Sequence, residues 1–216
     1  MEVIYVPRNF KKIERNGYIF MHTYGCDSDS DVSFQDGIIE KRLNNLENAY
    51  LFCDDAGIDA RGNLAVVGFN PLNNDHRIIK MQDDSVMNKK DGNILITSAD
   101  VVLMAHANDD CLVAFSVNHG DYLGVMRVSP ETLNRGAIDS AIQSIIMTAG
   151  ADCYIEAFVG YCESCSFNIA LHEFLYDSGV DDIEDFFDDD FHQKFFSGRS
   201  GDNGHYGLFV QKKERR

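Results

Sequence analysis

The sequence predicts a single α/β domain over residues 1–216, with a mixed central sheet flanked by helices. Three observations predict it. Short apolar runs of strand length recur along the chain. Segments whose apolar residues recur at three-to-four spacing stand between them. No Pro-, Gly- or Ser-rich linker divides the chain, and its three prolines, Pro7, Pro71 and Pro130, are scattered. With 44% apolar and 11% aromatic residues in 216, the chain can bury a substantial core without staples.

Tyr18–His22 reads as the first strand, after the turn pair Asn16-Gly17. Arg42–Gly57 reads as a helix with Leu43, Leu46, Ala49 and Tyr50 on its buried face and Gly57 as its stop. Leu64–Phe69 and Arg77–Met81 read as strands around a turn-rich stretch at 70–75. Asn93–Thr97 follows. Asp100–His106 and Cys111–Val117 are then split by Ala107-Asn108-Asp109-Asp110, which predicts a central hairpin covered on both faces.

The clearest helix is Ser129–Thr148. Ser129 suits the N-cap, Pro130 suits the first helical position, and Leu133, Ile138, Ala141, Ile142 and Ile145 form one stripe. Asp152–Val159 reads as a buried strand, Ile169–Asp177 as a helix packed through Leu171, Phe174 and Leu175, and Gly207–Val210 as a last strand. Asp181–Phe196 combines seven acids with five phenylalanines, and reads either as a helix packed on the domain or as a partner-binding or lid segment.

Nineteen Lys and Arg against 35 Asp and Glu give a net charge of −16. A surface so acidic repels phosphates, which argues against nucleic acid or an anionic membrane as partner. No apolar run is long enough to cross a bilayer, and the N-terminus lacks a signal-peptide layout, so the expected setting is the cytoplasm. Six reduced cysteines are expected there.

Asp27-Ser28-Asp29-Ser30-Asp31 opens like a calcium loop, but Val32 and Ile38 stand where Gly and Glu are required. Cys162-Glu163-Ser164-Cys165 has the spacing of a redox pair or of half a zinc site. Without a second pair the structural-zinc reading fails, while a strand before it and a helix after it keep redox chemistry open. If any bridge forms, Cys162 to Cys165 is the expected one. His119, in Val117-Asn118-His119-Gly120-Asp121, ends an apolar strand beside a glycine, where a site residue fits.

Several segments together resemble the laccase-domain family, described as multicopper polyphenol oxidoreductase-like and related to zinc-dependent purine nucleoside phosphorylases. Val159-Gly160-Tyr161-Cys162-Glu163-Ser164-Cys165-Ser166-Phe167-Asn168-Ile169 is similar to that family's Ile-Gly-Pro-x-Ile-x-x-Cys-Cys-Tyr-Glu-Val stretch, less one residue. Thr97-Ser98-Ala99-Asp100-Val101 resembles its Thr-Ala-Asp-Cys, and Val117–Gly124 resembles its Val-His-Ala-Gly-Trp-Arg-Gly turn. Met81-Gln82-Asp83-Asp84 lies where it has Gln-Val-His. The order holds from about residue 17 to 210.

The resemblance implies a laccase-domain-like fold and a purine-nucleoside ligand. It implies a site where Asp84, Asp100, His119 and Cys162 converge, with Asp100, His119 and Cys162 catalytic and Asp84, Asn118, Tyr122 and Tyr161 binding the ligand. The family holds zinc with one Cys and two His. The matching residues here are Val101, Asn118 and Asp84, so the expected metal is none. Two other readings stand beside an active enzyme: a catalytically inactive nucleoside- or protein-binding member, and a Cys–His amide hydrolase on the same fold. The latter resembles the glutamine-deamidating toxin domains, with Cys162 or Cys165 as nucleophile and His119 as base if the loop folds back.

Overall fold

A computed structural model describes residues 9–15, 17–25, 31–32, 39–67, 89–90, 94–134, 136–162, 165–187, 195 and 204–213. In chain order its elements are β1 (Phe10–Arg15), β2 (Tyr18–Thr23), α1 (Ile39–Ala56), β3 (Leu64–Val67), β4 (Lys89–Lys90), β5 (Ile94–Thr97), β6 (Val102–Ala107), β7 (Cys111–Val117), β8 (Tyr122–Val128), α2 (Pro130–Asn134), α3 (Ala137–Ala149), β9 (Ile155–Val159), α4 (Cys165–Asp177), β10 (Asp182–Asp185) and β11 (Tyr206–Lys212).

The strands form two mixed sheets rather than one. The first has the order β1-β2-β11-β6-β3-β4 and the second β10-β9-β7-β8-β5. The sheets share a core built from Phe20, Leu103, Ala105 and Leu208 on one side and Leu112, Ala114, Val125 and Phe158 on the other. The outer face of the first sheet, with Ile19, Met21, Met104 and Phe209, packs on α1 through Ala49, Phe52 and Cys53. The outer face of the second, with Val113, Phe115, Val117 and Met126, packs on α3 and α4 through Ile138, Ile142, Ile145, Leu171 and Leu175. The layers therefore run helix, sheet, sheet, helix. This explains the uninterrupted apolar runs: strands covered on both faces cannot alternate with polar residues.

The expected hairpin of Asp100–His106 with Cys111–Val117 is not present. β6 lies between β11 and β3 in one sheet, and β7 lies between β8 and β9 in the other. The turn residues 108–110 carry the chain across the sandwich. Such a turn suits either route, and the long-range partners decide between them. The hairpin that does form is β7–β8, closing with Val117 opposite Tyr122.

Ser129–Thr148 is two helices, because Gly136 adopts a left-handed φ of 71°. Its start is as read: Thr132 N–H donates to Ser129 Oγ (3.2 Å) and Ser129 N–H to Thr132 Oγ1 (2.8 Å), a reciprocal cap. Leu43 and Phe174, read as buried, are 60% and 38% exposed.

The acidic aromatic segment begins not as a helix but as β10, a parallel edge strand beside β9, with Phe186 and Phe195 in the inter-sheet core. Its exposed acids suit an edge, where charge discourages further strand addition. Residues 188–194 and 196, and the strand expected at Arg77–Met81, lie outside the described residues.

The expectation of six free thiols is overturned. Cys111, at the start of β7, is disulfide-bonded to Cys162, just past β9, with a Cα–Cα distance of 5.0 Å. The predicted partner of Cys162 was Cys165. The antiparallel β7–β9 pairing is what brings Cys111 within reach instead.

The same neighbourhood requires a glycine. Gly160 N–H donates to the Leu112 carbonyl at 2.7 Å. A Cβ at Gly160 would sit 2.6 Å from His22 Nε2 and 2.9 Å from that carbonyl oxygen. Gly160→Ala is expected to cost about 3 kcal/mol through overpacking, read as a lower urea midpoint at unchanged slope. A midpoint equal to wild type would show that β9 and His22 are less tightly apposed than this.

Candidate functional site at the turn between β7 and β8

Asn118, His119 and Gly120 all have positive φ, at 51°, 57° and 95°. Gly prefers this region, and Asn and His enter it more readily than most other residues, so these three side chains suit a tight left-handed turn. Asn118 holds the turn in place. Its N–H donates to the Tyr154 carbonyl at 2.8 Å, and its Oδ1 accepts from Tyr154 N–H at 3.0 Å. Gly120 lies so close to the Tyr18 ring that a Cβ would be 3.0 Å from Cδ1.

This geometry projects His119 outward, with its ring 4.9 Å from that of Tyr154. His119 Nδ1 faces Glu156 Oε2 at 3.6 Å, ion-pair range; the imidazole is 70% exposed and the carboxylate 14%. Glu156 sits on β9 and points between the sheets. Its Oε2 accepts from Ser116 Oγ at 3.0 Å and from Tyr18 OH at 3.2 Å. Burial holds the Tyr18 phenol up to about 12, so it remains a donor at neutral pH. A fixed carboxylate stands on the Nδ1 side of an exposed imidazole. That is the layout of a general base with its orienting acid.

Asp100 lies in the turn before β6, on the same end of the sandwich. It is exposed, and its carbonyl accepts from Asn63 Nδ2 at 2.7 Å. Lys212 ties that turn to the His119 turn, donating from Nζ to the carbonyls of Ser98 (2.7 Å) and Asp121 (2.6 Å). Tyr122 packs partly against the outer core of the second sheet, on the opposite face from Glu156. Asp84 lies outside the described residues.

Cys162 and Tyr161 are not brought to this end. They lie beyond the other end of the seven-residue β7, about 20 Å away at strand spacing. There Tyr161 stacks on Phe195 at 3.8 Å, and the buried His106 and His205 are hydrogen-bonded through Nδ1 atoms 2.6 Å apart. Cys162 and His119 therefore do not form a nucleophile–base pair.

Of the residues that the resemblance matches to zinc ligands, Val101 and Asn118 lack a donor suited to that metal, and Asp84 lies outside the described residues. Val101 is 3% exposed and belongs to the inter-sheet core. Asn118 offers an amide oxygen that already accepts from Tyr154. Among the described residues no three of His, Cys, Asp or Glu converge as metal ligands.

Glu156, Ser116, Tyr18 and Tyr154 were not singled out by sequence reasoning. Glu156 carried a signal: it is the acid in the otherwise apolar run Ile155–Val159. Nothing in the sequence announced that Tyr18, 138 residues away, would meet it.

No family model matches the sequence, and no curated protein matches it. Solved structures do. A Neisseria meningitidis protein, NMB0706, of family model DUF152, superposes with a TM-score of 0.71 at 12% identity, over 95% of this chain and 100% of its own. YlmD from Geobacillus stearothermophilus gives 0.69 at 14% identity, over 96% and 100%. The Bacillus licheniformis hypothetical protein YfiH gives 0.65 at 15% identity, over 94% and 99%. The fold is therefore that of the laccase-domain, or DUF152, structures. At these identities the likeness is one of fold.

Proposed function

We propose that the chain is a divergent protein of the laccase-domain fold that binds a small molecule of the purine-nucleoside class at the β7–β8 turn, without zinc. His119 and Glu156 serve as its acid–base pair. The supporting observation is the Glu156 carboxylate, anchored by Tyr18 and Ser116 beside the exposed His119. In this reading His119 Nε2 takes a proton from a water or hydroxyl nucleophile, and Glu156 stabilises the imidazolium. The carboxylates of Asp100 and Asp121 offer acceptors to a base's amino group. With Val101 and Asn118 at the positions matched to a Cys and a His ligand, this reading uses no Lewis acid, and proton transfer carries the chemistry.

A thermal-shift series with purine nucleosides, with and without inorganic phosphate, on chelator-treated protein tests this. A ligand at a hundred times its dissociation constant is expected to add about 2.7 kcal/mol of stability. Glu156→Gln is expected to lower turnover by about 100-fold or more while the binding shift persists. No shift at millimolar concentration with any nucleoside would remove the ligand class, and turnover unchanged in Glu156→Gln would remove the pair. No described helix is long and apolar enough to cross a membrane. A cytoplasmic setting belongs to the proposal.

A further inference from the structure

We propose that Asn168, His172 and Asp185 form a cation site, taking a divalent first-row ion of the manganese class between α4 and β10. Two local periodicities bring the three together. On α4, Asn168 and His172 are at i and i+4 and so share a side of the helix. On β10, Ile183 and Asp185 are at i and i+2 and so share a face. Ile183 packs against the cluster that holds Leu171 and Leu175 of α4, so that face is the one α4 covers. Glu184 points the other way, to Arg15 at 2.7 Å. The end of β10 is fixed, because Phe186 N–H donates to the Val159 carbonyl at 2.7 Å.

The distances suit an ion. His172 Nε2 stands 2.9 Å from Asp185 Oδ1. Two ligand atoms about 2.1 Å from an octahedral ion and at right angles are about 3.0 Å apart. Asn168 Nδ2 stands 3.5 Å from the same Oδ1, at the edge of hydrogen-bond range, while Asn168 Oδ1 is buried without a partner. A buried carbonyl oxygen that lacks a donor is costly. A half-turn of the amide about χ2 brings Oδ1 beside Asp185 Oδ1, where a cation between the two oxygens satisfies both. Carboxylate and amide oxygens favour Mn2+ over Zn2+, and the imidazole favours it over Mg2+ and Ca2+. The side chains of His172 and Asp185 are 31% and 40% exposed, so the ion can enter and water completes its shell. The site is separate from the His119 turn. Asp185 lies opposite Val159, three residues beyond Glu156 along β9, which is about 10 Å at strand spacing.

Manganese itself is the probe, because Mn2+ broadens the amide NMR signals nearest to it. The full chain is isotope-labelled, prepared without an affinity tag and stripped with chelator. Substoichiometric Mn2+ is expected to broaden the amide signals of Asn168, His172 and Asp185 before those of Asn118 and His119. The electron paramagnetic resonance signal of the free ion then measures affinity. His172→Ala and Asp185→Asn are each expected to weaken binding by at least about 10-fold, the least that loss of even an outer-shell partner costs. Asn168→Asp is expected to tighten it, since a carboxylate replaces an amide, and His119→Ala is expected to bind as wild type does. Urea midpoints in chelator check that each variant folds. Broadening that begins elsewhere, or no binding at millimolar Mn2+, would overturn the site. So would wild-type affinity in His172→Ala, Asp185→Asn or Asn168→Asp, or weakened binding in His119→Ala.

Discussion

Lowering the pH from 6.5 to 4 is expected to remove about 3 kcal/mol of stability through His22 alone. The ring is fully buried, and burial depresses its pKa from 6.5 to about 3, against a smaller opposing effect of the Thr23 carbonyl. Nδ1–H donates to that carbonyl at 2.8 Å, which leaves Nε2 as the acceptor for Tyr161 N–H. A proton on Nε2 would face an N–H donor, inside a shell of Phe186, Phe187, Phe195 and Tyr206 rings. The sign follows from proton counting. Above pH 6.5 both folded and unfolded chains hold a neutral imidazole. Below it the unfolded chain binds a proton that the fold refuses, so stability falls by about 1.4 kcal/mol per unit until about pH 3. Urea unfolding across this range measures the slope. His22→Gln keeps an amide near the same partners and has no proton to gain, so it should be less stable at pH 7 and flatter with pH. A slope as steep in His22→Gln as in wild type would assign the acid sensitivity to other groups.

Removing the Cys111–Cys162 bridge is expected to cost about 4 kcal/mol in the chain-entropy model, since the bridge closes a sequence separation of 51 residues. Cys111→Ala is the cleaner variant, because serine would bury a hydroxyl at a fully buried position. Its unfolding midpoint without reductant should match that of wild type with excess reductant. A wild-type midpoint insensitive to reductant would mean that no such bridge constrains the unfolded chain.

Most strand segments were legible because both faces of both sheets are covered. Tyr18–Thr23, Leu64–Val67 and Cys111–Val117 are buried along their whole length, so hydrophobicity alone marks them. β1 was missed because it is an edge strand in which Ile13 is the one buried residue. The reciprocal cap at Ser129 was legible because it is local. The break at Gly136 was also local, yet a glycine within a helical stripe is compatible with continuity or a kink, and packing decides.

Of the candidate site, His119 was singled out from a strand end beside a glycine, and Asp100 and Asn118 from the resemblance to family motifs. The sequence by itself determined the apolar runs, the helix stripes and the acidic composition. These depend on residue identity and on neighbours a few positions away. The tertiary structure alone decided which runs pair. It placed β6 and β7 in different sheets, took Cys162 to Cys111 and away from His119, and set Glu156 beneath the turn with Tyr18 and Ser116. Each of these is a contact across the sandwich. Its free energy depends on which distant surfaces fit together, and a local pattern of side chains is silent about that.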